Sequence, residues 1–412
     1  MTLQQAFEQA IHDLPQQIVG ALIREKLRSH GIHLSQAKSE KIGKQLVDSA
    51  TTDIPLQRWR FWDRRDITIE FTEDDQQQVM KWLESFSENG IKNLVDEIST
   101  SASRSILETL KRNWSSHRRS QRRQLLGFQR RLNKRWGLAI DKLRMFVTIC
   151  REFGSDLNKD FCDQIASSTP NLADTLFRLH GRGCQIAEEI ITLLEGGFAD
   201  GAMARWRTLH EISVVMIFVR QHGEGLAERY IDHHSVEAYR AANQYQSYYA
   251  RMGYTPIDDL EMARLRNNFD QVIAKYGRNF GTSYGWAALA LNVSDPNFAQ
   301  IEQAANIDHL RPFYRMASHN VHANPMGAFF RLGLLPETAV ILAGPSNFGL
   351  ADPGQSTVIS LSQQCTSVGL LHTTLDTIVA MRIVVKLVDE IVDEFVVANE
   401  QLQIDAAQAG QS

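Results

Sequence analysis

The stretch "YRMASHNVHANP", residues 314–325, places one arginine and two histidines in a short segment that ends at a proline. Arg315, His319 and His322 stand at positions i, i+4 and i+7, so on a helix their side chains share one stripe. Histidine can move the proton of an attacking or leaving hydroxyl, and arginine can stabilise charge on phosphate oxygens. The spacing therefore predicts a site for phosphodiester chemistry without a metal. The alternative is a buried helix whose histidines bond to carbonyls, with Arg315 paired to a carboxylate such as Glu211.

A second candidate segment is "ARWRTLHE", residues 204–211. Arg207, His210 and Glu211 stand at i, i+3 and i+4 and would project from one face of a helix. An Arg–Glu pair at this spacing is common on surfaces, but the helix continues as "ISVVMIFV", which predicts burial, and buried charges must be paired or functional. We expect this helix to pack against the Arg315 helix and form one pocket. "HEISV" lacks the second histidine of the HExxH zinc motif, so neither a metal nor a cofactor is predicted.

A third feature is the charge of the segment from Arg104 to Arg135. It holds eleven Lys or Arg residues and one acid, whereas the whole chain carries a net charge of -4. Such asymmetry indicates contact with a polyanion, and interleaved apolar residues favour an amphipathic helix. The alternative is a solvated linker helix whose charges face water or an acidic surface. The predicted nucleic-acid-binding residues are Arg118, Arg119, Arg122, Arg123, Arg130 and Arg131.

Helical periodicity covers most of the chain and predicts a mainly α protein. We expect an N-terminal helical unit over residues 1–100, a basic connecting helix over 101–137 and a main helical bundle domain over 138–412. Apolar pieces separated by Pro and Gly predict a small β-hairpin insertion near 327–352. The last helix, roughly 355–403, has an apolar surface too broad for a helix standing in water. It should pack centrally or form a homodimer interface.

Composition indicates a soluble, bacterial-type cytoplasmic protein. Of 412 residues, 43% are hydrophobic and 22% charged, which is ordinary for a globular protein. The apolar runs are far too short to span a bilayer, and the N-terminus is unlike a signal peptide, so no membrane partner is predicted. The four cysteines form no CxxC pair and read as reduced, packed thiols.

Several pieces occur in an order that resembles a known family. They are "RTLHE" after a glycine-interrupted helix, "YGWA" after a tyrosine-glycine loop, "SHNVHANP", and "GL-x-x-P" leading into the last helix. Residues of about 175–400 are similar to an uncharacterised bacterial all-helical family, a domain of unknown function. This resemblance implies an all-helical fold with a minor hairpin, and no established activity.

The segment from Arg315 to His322 also resembles the signature of HEPN ribonucleases, an arginine followed after four to six residues by a histidine. R-x6-H fits the upper limit, although Met316 stands where that family usually has a polar residue. The resemblance implies metal-independent RNA cleavage in phage-defence or toxin–antitoxin systems, commonly at a site shared across a dimer. Arg315 and His322 would be the catalytic pair, and His319 would be auxiliary.

The sequence therefore predicts a metal-independent, HEPN-like endoribonuclease, an anti-phage or toxin-type effector with RNA as its partner. Arg315 would bind phosphate, His322 would act as general acid/base, and Glu211 would orient a partner residue. Arg207, His210 and His319 complete the predicted site. The alternative is a non-catalytic nucleic-acid-binding or scaffold protein in which both motifs form a buried Arg/His/Glu network that fixes helix register.

Overall fold

The computed structural model describes residues 2–49, 72–85, 90–161, 169–322, 325–334 and 341–409. The chain divides into two compact units, Met1–Arg119 and Ser120–Ser412, called here the N-terminal and C-terminal units. Every regular element within the described ranges is a helix, which confirms the mainly α fold. None of these helices is long and apolar enough to cross a membrane.

The N-terminal unit is built from α1 (Leu3–His12), α2 (Leu14–Ser29), α3 (Gln36–Ser49), α4 (Glu73–Ser85) and the first part of α5 (Ile91–Phe161). A small core of Ile23, Leu27 and Ile42 joins α2 to α3. The two helices approach closely because glycines face each other's backbone. A Cβ atom at Gly43 would lie 2.3 Å from the carbonyl oxygen of Gln16, so only glycine fits there.

The C-terminal unit contains the rest of α5 and eleven further α-helices in the described ranges. These are α6 (Pro170–Glu195), α7 (Ala199–His222), α8 (Glu224–Asp232), α9 (His234–Met252), α10 (Asp259–Tyr276), α11 (Ala288–Leu291), α12 (Phe298–Ala304), α13 (Arg311–Val321), α14 (Pro325–Phe329), α15 (Ala351–Gly369) and α16 (Leu375–Ala409). Short 3-10 turns at Arg278–Gly281, Gly285–Ala287 and Asp308–Leu310 connect some of them.

Helix α7 is the central element of the C-terminal unit and packs against α6, α13 and α15. The predicted burial of "ISVVMIFV" is confirmed, since most of its side chains lie in the core. Polar contacts fix its register against α15. Trp206 Nε1 donates to the Ser356 carbonyl at 2.9 Å, and Gln364 Nε2 donates to the Leu209 carbonyl at 3.1 Å. Because α7 is held on three sides, its polar side chains have little freedom to rearrange.

The predicted β-hairpin near 327–352 is wrong for the residues described there, 327–334 and 341–352, which contain no strand. Two backbone groups of this segment bond to the start of α7 and to the connection before it. The Leu332 N–H donates to Asp200 Oδ1 at 3.0 Å, and the Ser346 N–H donates to the Gly197 carbonyl at 2.9 Å. These two donors are therefore satisfied without a β ladder.

Helix α5 is continuous over 71 residues and contains the whole predicted basic segment. From Leu132 onward its inner face joins the main core through Trp136, Leu143 and Phe146. Helix α16 likewise buries one face, with Ile391 and Phe395 fully covered, while Leu375 and Val397 on its other side are exposed. The single helix predicted over roughly 355–403 is wrong, since α15 ends at Gly369 and α16 begins at Leu375. The expected packing against the core is observed for one face of α16.

Phe395→Ala tests the docking of α16 on α15, where the aromatic ring lies so close to Gly354 that a Cβ there would be 2.4 Å away. Removing this fully buried ring should lower the free energy of unfolding by about 3 to 5 kcal/mol. Urea denaturation followed by circular dichroism measures the change. The control is Val397→Ala on the exposed side, which should change stability by less than about 0.5 kcal/mol. Equal losses of stability would contradict the described packing.

Candidate functional site

The predicted residues of α7 separate into two environments. His210 and Glu211 are neighbours in sequence, so their side chains diverge by about 100° around the helix. His210 is fully buried, whereas Glu211 and Arg207 are partly exposed. The predicted packing of α7 against α13 is observed, but it creates two polar clusters and not one pocket holding every predicted residue.

The inner cluster is built on Glu302 of α12, a carboxylate with no exposed surface. Glu302 Oε1 lies 2.7 Å from His210 Nε2, and Oε2 lies 2.5 Å from Nη2 of Arg311, the first residue of α13. The imidazole also contacts the rings of Trp206 and Tyr314 at centroid distances of 5.3 and 5.8 Å. The buried charge is thus paired on both oxygens, and three helices are joined through one side chain.

Glu302 was not among the residues predicted from sequence. It lies on a short helix, "FAQIEQA", with an ordinary asparagine cap, and no spacing relates it to His210. A fully buried carboxylate is rare, but burial on so short an element cannot be read from periodicity. In its location His210 is held as part of a structural network and is closed off from solvent.

The outer cluster consists of Arg207, Glu211, Tyr314 and His322. Arg207 Nε lies 3.2 Å from Glu211 Oε1, and Tyr314 Oη donates to the same oxygen at 2.6 Å. The guanidinium also lies over the Tyr314 ring, 4.8 Å from its centroid. Burial of the phenol raises the pKa of Tyr314, and its bond to the negatively charged Glu211 raises it further. Tyr314 therefore stays a neutral donor that orients the carboxylate.

His322 completes this outer cluster. Its Nε2 lies 3.4 Å from Nη1 of Arg207. A guanidinium can only donate, so Nε2 of the imidazole is the acceptor of a hydrogen bond at this contact. The arrangement places an imidazole beside a permanent positive charge. Glu211 pairs here with Arg207 and not with Arg315, for which the buried-helix alternative named it as an example of a partner.

The predicted stripe of Arg315, His319 and His322 is only partly formed. Helix α13 ends at Val321, and His322 adopts an extended backbone (φ -104°, ψ 140°). Arg315 and His319 keep helical spacing and line a groove of about 420 Å³. Its other lining residues are Arg311, Pro312, Met316, Met326 and Phe330. Among the described residues, Arg315 takes part in no ion pair or hydrogen bond, and its side chain is exposed. The groove thus joins cationic side chains to an apolar wall.

Helix α14 forms that apolar wall by folding back on the end of α13. Gly327 makes this possible, since a Cβ there would lie 2.0 Å from the His319 carbonyl oxygen and 3.5 Å from that of His322. The backbone of both histidines is therefore covered by α14, while the side chains of Met326 and Phe330 beside them are exposed.

The six arginines predicted to bind nucleic acid are all exposed along α5. Within the described part of the chain none of them forms an ion pair. No acidic side chain there neutralises them, as a linker helix facing an acidic surface would require. In the C-terminal unit, Arg123 and Arg130 lie on the side of α5 opposite to Phe128 and Leu132, which pack inward. Arg135, at the end of the segment, pairs with Asp405 of α16. The helix thus offers a row of guanidinium groups to solvent.

Within the described ranges, no group of three or more His, Cys, Asp or Glu side chains is placed to hold a metal ion.

Comparison with known proteins identifies one family. Residues 173–337 match the model of DUF5677, a family of unknown function. The match covers less than half of the chain and ends before α15. The expected resemblance to an uncharacterised family is confirmed over that range, which contains both clusters. No curated protein and no solved structure matches the chain. The resemblance to HEPN ribonucleases stays a prediction.

Glu302→Ala tests the inner cluster. It leaves a fully buried imidazole and the guanidinium of Arg311 without their shared carboxylate, so the free energy of unfolding should fall by about 3 to 5 kcal/mol. The matched control is Gln303→Ala, one residue along the same helix and exposed, which should be nearly neutral. Thermal unfolding of both variants compares them directly, and equal melting temperatures would show that the bridge does not hold the three helices.

Proposed function

Since residues 173–337 match a family to which no function is assigned, we propose a function from the chemistry of the outer cluster: metal-independent cleavage of RNA by a HEPN-like endoribonuclease. The observation that carries the proposal is the contact between the Arg207 guanidinium and the His322 imidazole. Three residues before His322, His319 lines a groove that also holds the unpaired Arg315. An imidazole beside a guanidinium, with a further exposed arginine seven residues earlier in the chain, suits a phosphodiester substrate.

In the proposed reaction, a phosphate of the RNA binds to Arg315 and to the Arg207 guanidinium. The exposed His322 side chain turns away from Arg207, and its Nε2 accepts the proton of the adjacent 2′-hydroxyl, whose oxygen attacks phosphorus and forms the 2′,3′-cyclic phosphate. The 5′-oxygen leaves with a proton from solvent water, and the His322 imidazolium returns its proton to solvent. Glu211 and Tyr314 hold Arg207 in place, so they act as positioning residues. His319 is the auxiliary imidazole on the groove side, and Met326 and Phe330 offer an apolar surface on which a base can rest.

The wider proposal concerns partners and setting. The exposed arginines of α5 supply sequence-independent phosphate contacts. A homodimer forms through α16, whose outer face exposes Leu375, Val379 and Val397. The protein acts in the bacterial cytoplasm as an anti-phage or toxin-type effector.

A second candidate is a non-catalytic RNA-binding or scaffold protein. The observation in its favour is the inner cluster, where His210, Glu302 and Arg311 join three helices and are closed to any substrate. The two candidates share the α5 arginines and differ only at the outer cluster, so one experiment on that cluster separates them.

Incubation of the purified protein with single-stranded RNA in EDTA should give fragments ending in 2′,3′-cyclic phosphate. His322→Ala and Arg315→Ala should each lower the cleavage rate by at least about 100-fold, because one removes the base and the other a phosphate ligand. The matched controls are His309→Ala and Arg266→Ala, exposed residues outside both clusters, which should cleave at the wild-type rate.

Cleavage that is absent, or that survives both substitutions in folded protein, rules out the endoribonuclease. Binding of RNA without cleavage, measured in the same samples by fluorescence anisotropy, would support the second candidate instead.

Neutralising four exposed arginines of α5 tests the proposed phosphate contacts separately. The variant changes to Gln the residues Arg122, Arg123, Arg130 and Arg131. RNA binding should weaken and depend less on salt, because fewer phosphates are neutralised by the protein and fewer counterions are released. The slope of log K against log salt concentration should become shallower by up to roughly 2.8, about 0.7 for each phosphate that is no longer neutralised.

The control for this variant removes the same amount of positive charge from exposed positions outside α5. It changes to Gln the residues Arg251, Arg264, Arg266 and Arg278. Its slope should stay close to that of the wild type. An unchanged slope in the α5 variant, or an equal change in both variants, would exclude α5 as the specific phosphate-binding surface.

A further inference from the structure

A cavity of about 390 Å³ lies between α5 and α6 in the C-terminal unit and shares no residue with the inner or the outer cluster. The residues that line it recur every three or four positions, so each helix turns one face toward it. They include Arg151, Ser155 and Asn158 of α5 and Phe177, Gly181, Cys184 and Glu188 of α6. Sites for small molecules usually measure roughly 300 to 1,000 Å³, so this cavity is large enough to hold one.

Two lining residues place opposite charges at this cavity, one from each helix. Arg151 Nη1 lies 3.6 Å from Glu188 Oε1, which is longer than the roughly 2.7 to 3.2 Å of a good N–H···O hydrogen bond. Within the described ranges Arg151 makes no hydrogen bond. Arg144 also lies 3.4 Å from Glu188, but its shorter contact, 2.7 Å, is with Glu195. Arg151 and Glu188 thus each have room for a closer partner.

The buried part of the lining carries no carboxylate or guanidinium group. Cys184 and His180 are 4% and 3% exposed, and Phe177 beside them is partly buried. His180 Nε2 lies 3.4 Å from Cys365 Sγ, so this nitrogen faces sulfur on the far side from α5. Gly154 lets the imidazole pack against α5, because a Cβ there would lie 2.4 Å from its Cε1. A thiol, an aromatic ring and glycine backbone form a surface suited to an apolar group.

We propose that this cavity binds a free α-amino acid with an apolar side chain. The amino acid's carboxylate accepts hydrogen bonds from Arg151, its ammonium group donates to Glu188, and its side chain lies against Phe177 and Cys184. An α-amino acid carries both charges on one carbon atom, which suits two partners only 3.6 Å apart. A ligand with a net charge would be repelled by one of them. Binding replaces one long ion pair by two close ones, so no charge is left uncompensated.

Isothermal titration calorimetry on the full-length wild-type protein tests the class of ligand. L-Leucine, L-methionine and L-phenylalanine are the probes, and we expect saturable one-to-one binding. N-Acetyl-L-leucine lacks the ammonium group and 3-methylbutylamine lacks the carboxylate. Each should bind at least about tenfold more weakly than L-leucine, because one charged hydrogen-bond partner is lost. Absence of binding by all three amino acids at millimolar concentration, or equal binding of the two analogues, would overturn the proposal.

Three variants test the location. Arg151→Met and Glu188→Gln should each weaken binding at least about tenfold, because each removes the partner of one ligand charge. Gly181→Leu should abolish binding, because its side chain would fill the cavity. The fold has room for it, since a Cβ at Gly181 meets no atom within 4 Å. Circular dichroism first establishes that each variant is folded.

The matched controls are Arg178→Met and Gly225→Leu, at exposed positions outside the lining. A Cβ at Gly225 also meets no atom within 4 Å, so this control adds the same side chain at another open position. Both controls should bind with wild-type affinity. Unchanged binding in all three cavity variants, or equal losses in the controls, would overturn the site. If a variant fails to fold, the analogue comparison on the wild type still decides. None of these measurements uses RNA, so their outcome is independent of the proposed nuclease activity.

Discussion

The architecture around the site depends on one buried carboxylate. Glu302 has no exposed surface, and the two side chains that pair with its oxygens come from different helices. His210 belongs to α7 and Arg311 begins α13, so the carboxylate fixes the distance and rotation of α7, α12 and α13 together. The stacked rings of Phe298 and Tyr314, 5.1 Å apart, pack against the same bridge. A displacement of any one helix would leave a charge unpaired in the core.

This constraint determines what the surface of the site can offer. The ion pair between Arg311 and Glu302 fixes the first turn of α13, and this places Tyr314 next to Glu211. Glu211 pairs with Arg207 and orients it toward the end of α13. His322 meets Arg207 there because the helix has ended one residue earlier and the backbone has turned to an extended conformation. The inner cluster thus positions the exposed imidazole of His322 and the partly exposed guanidinium of Arg207, although neither side chain belongs to it. This division between a rigid inner layer and an accessible outer layer is common where polar groups act on a ligand.

The same unit separates two kinds of histidine chemistry. His322 is exposed and faces a permanent cation, whereas His180 is buried, with its Nε2 3.4 Å from Sγ of Cys365. Residue type is therefore a poor guide to the surroundings of a histidine in this protein. Burial and neighbouring charges depend on which helices meet.

Much of the organisation follows from local pattern. The helices, the burial of "ISVVMIFV" and the exposure of the basic face of α5 are all consequences of where apolar residues recur, because periodicity acts within a single helix. The spacing of Arg207 and Glu211 likewise predicts their ion pair.

By contrast, the partners of His210 and His322 lie 92 and 115 residues away in the chain, and Cys365 is 185 residues from His180. No local pattern encodes such distances. In the described residues of the predicted hairpin, two backbone donors likewise bond to remote residues, Asp200 and Gly197. The amino-acid sequence by itself determined the helices and the residue types able to do chemistry. Only the tertiary structure decided which of them meet, because burial and charge pairing act between elements that are remote in sequence.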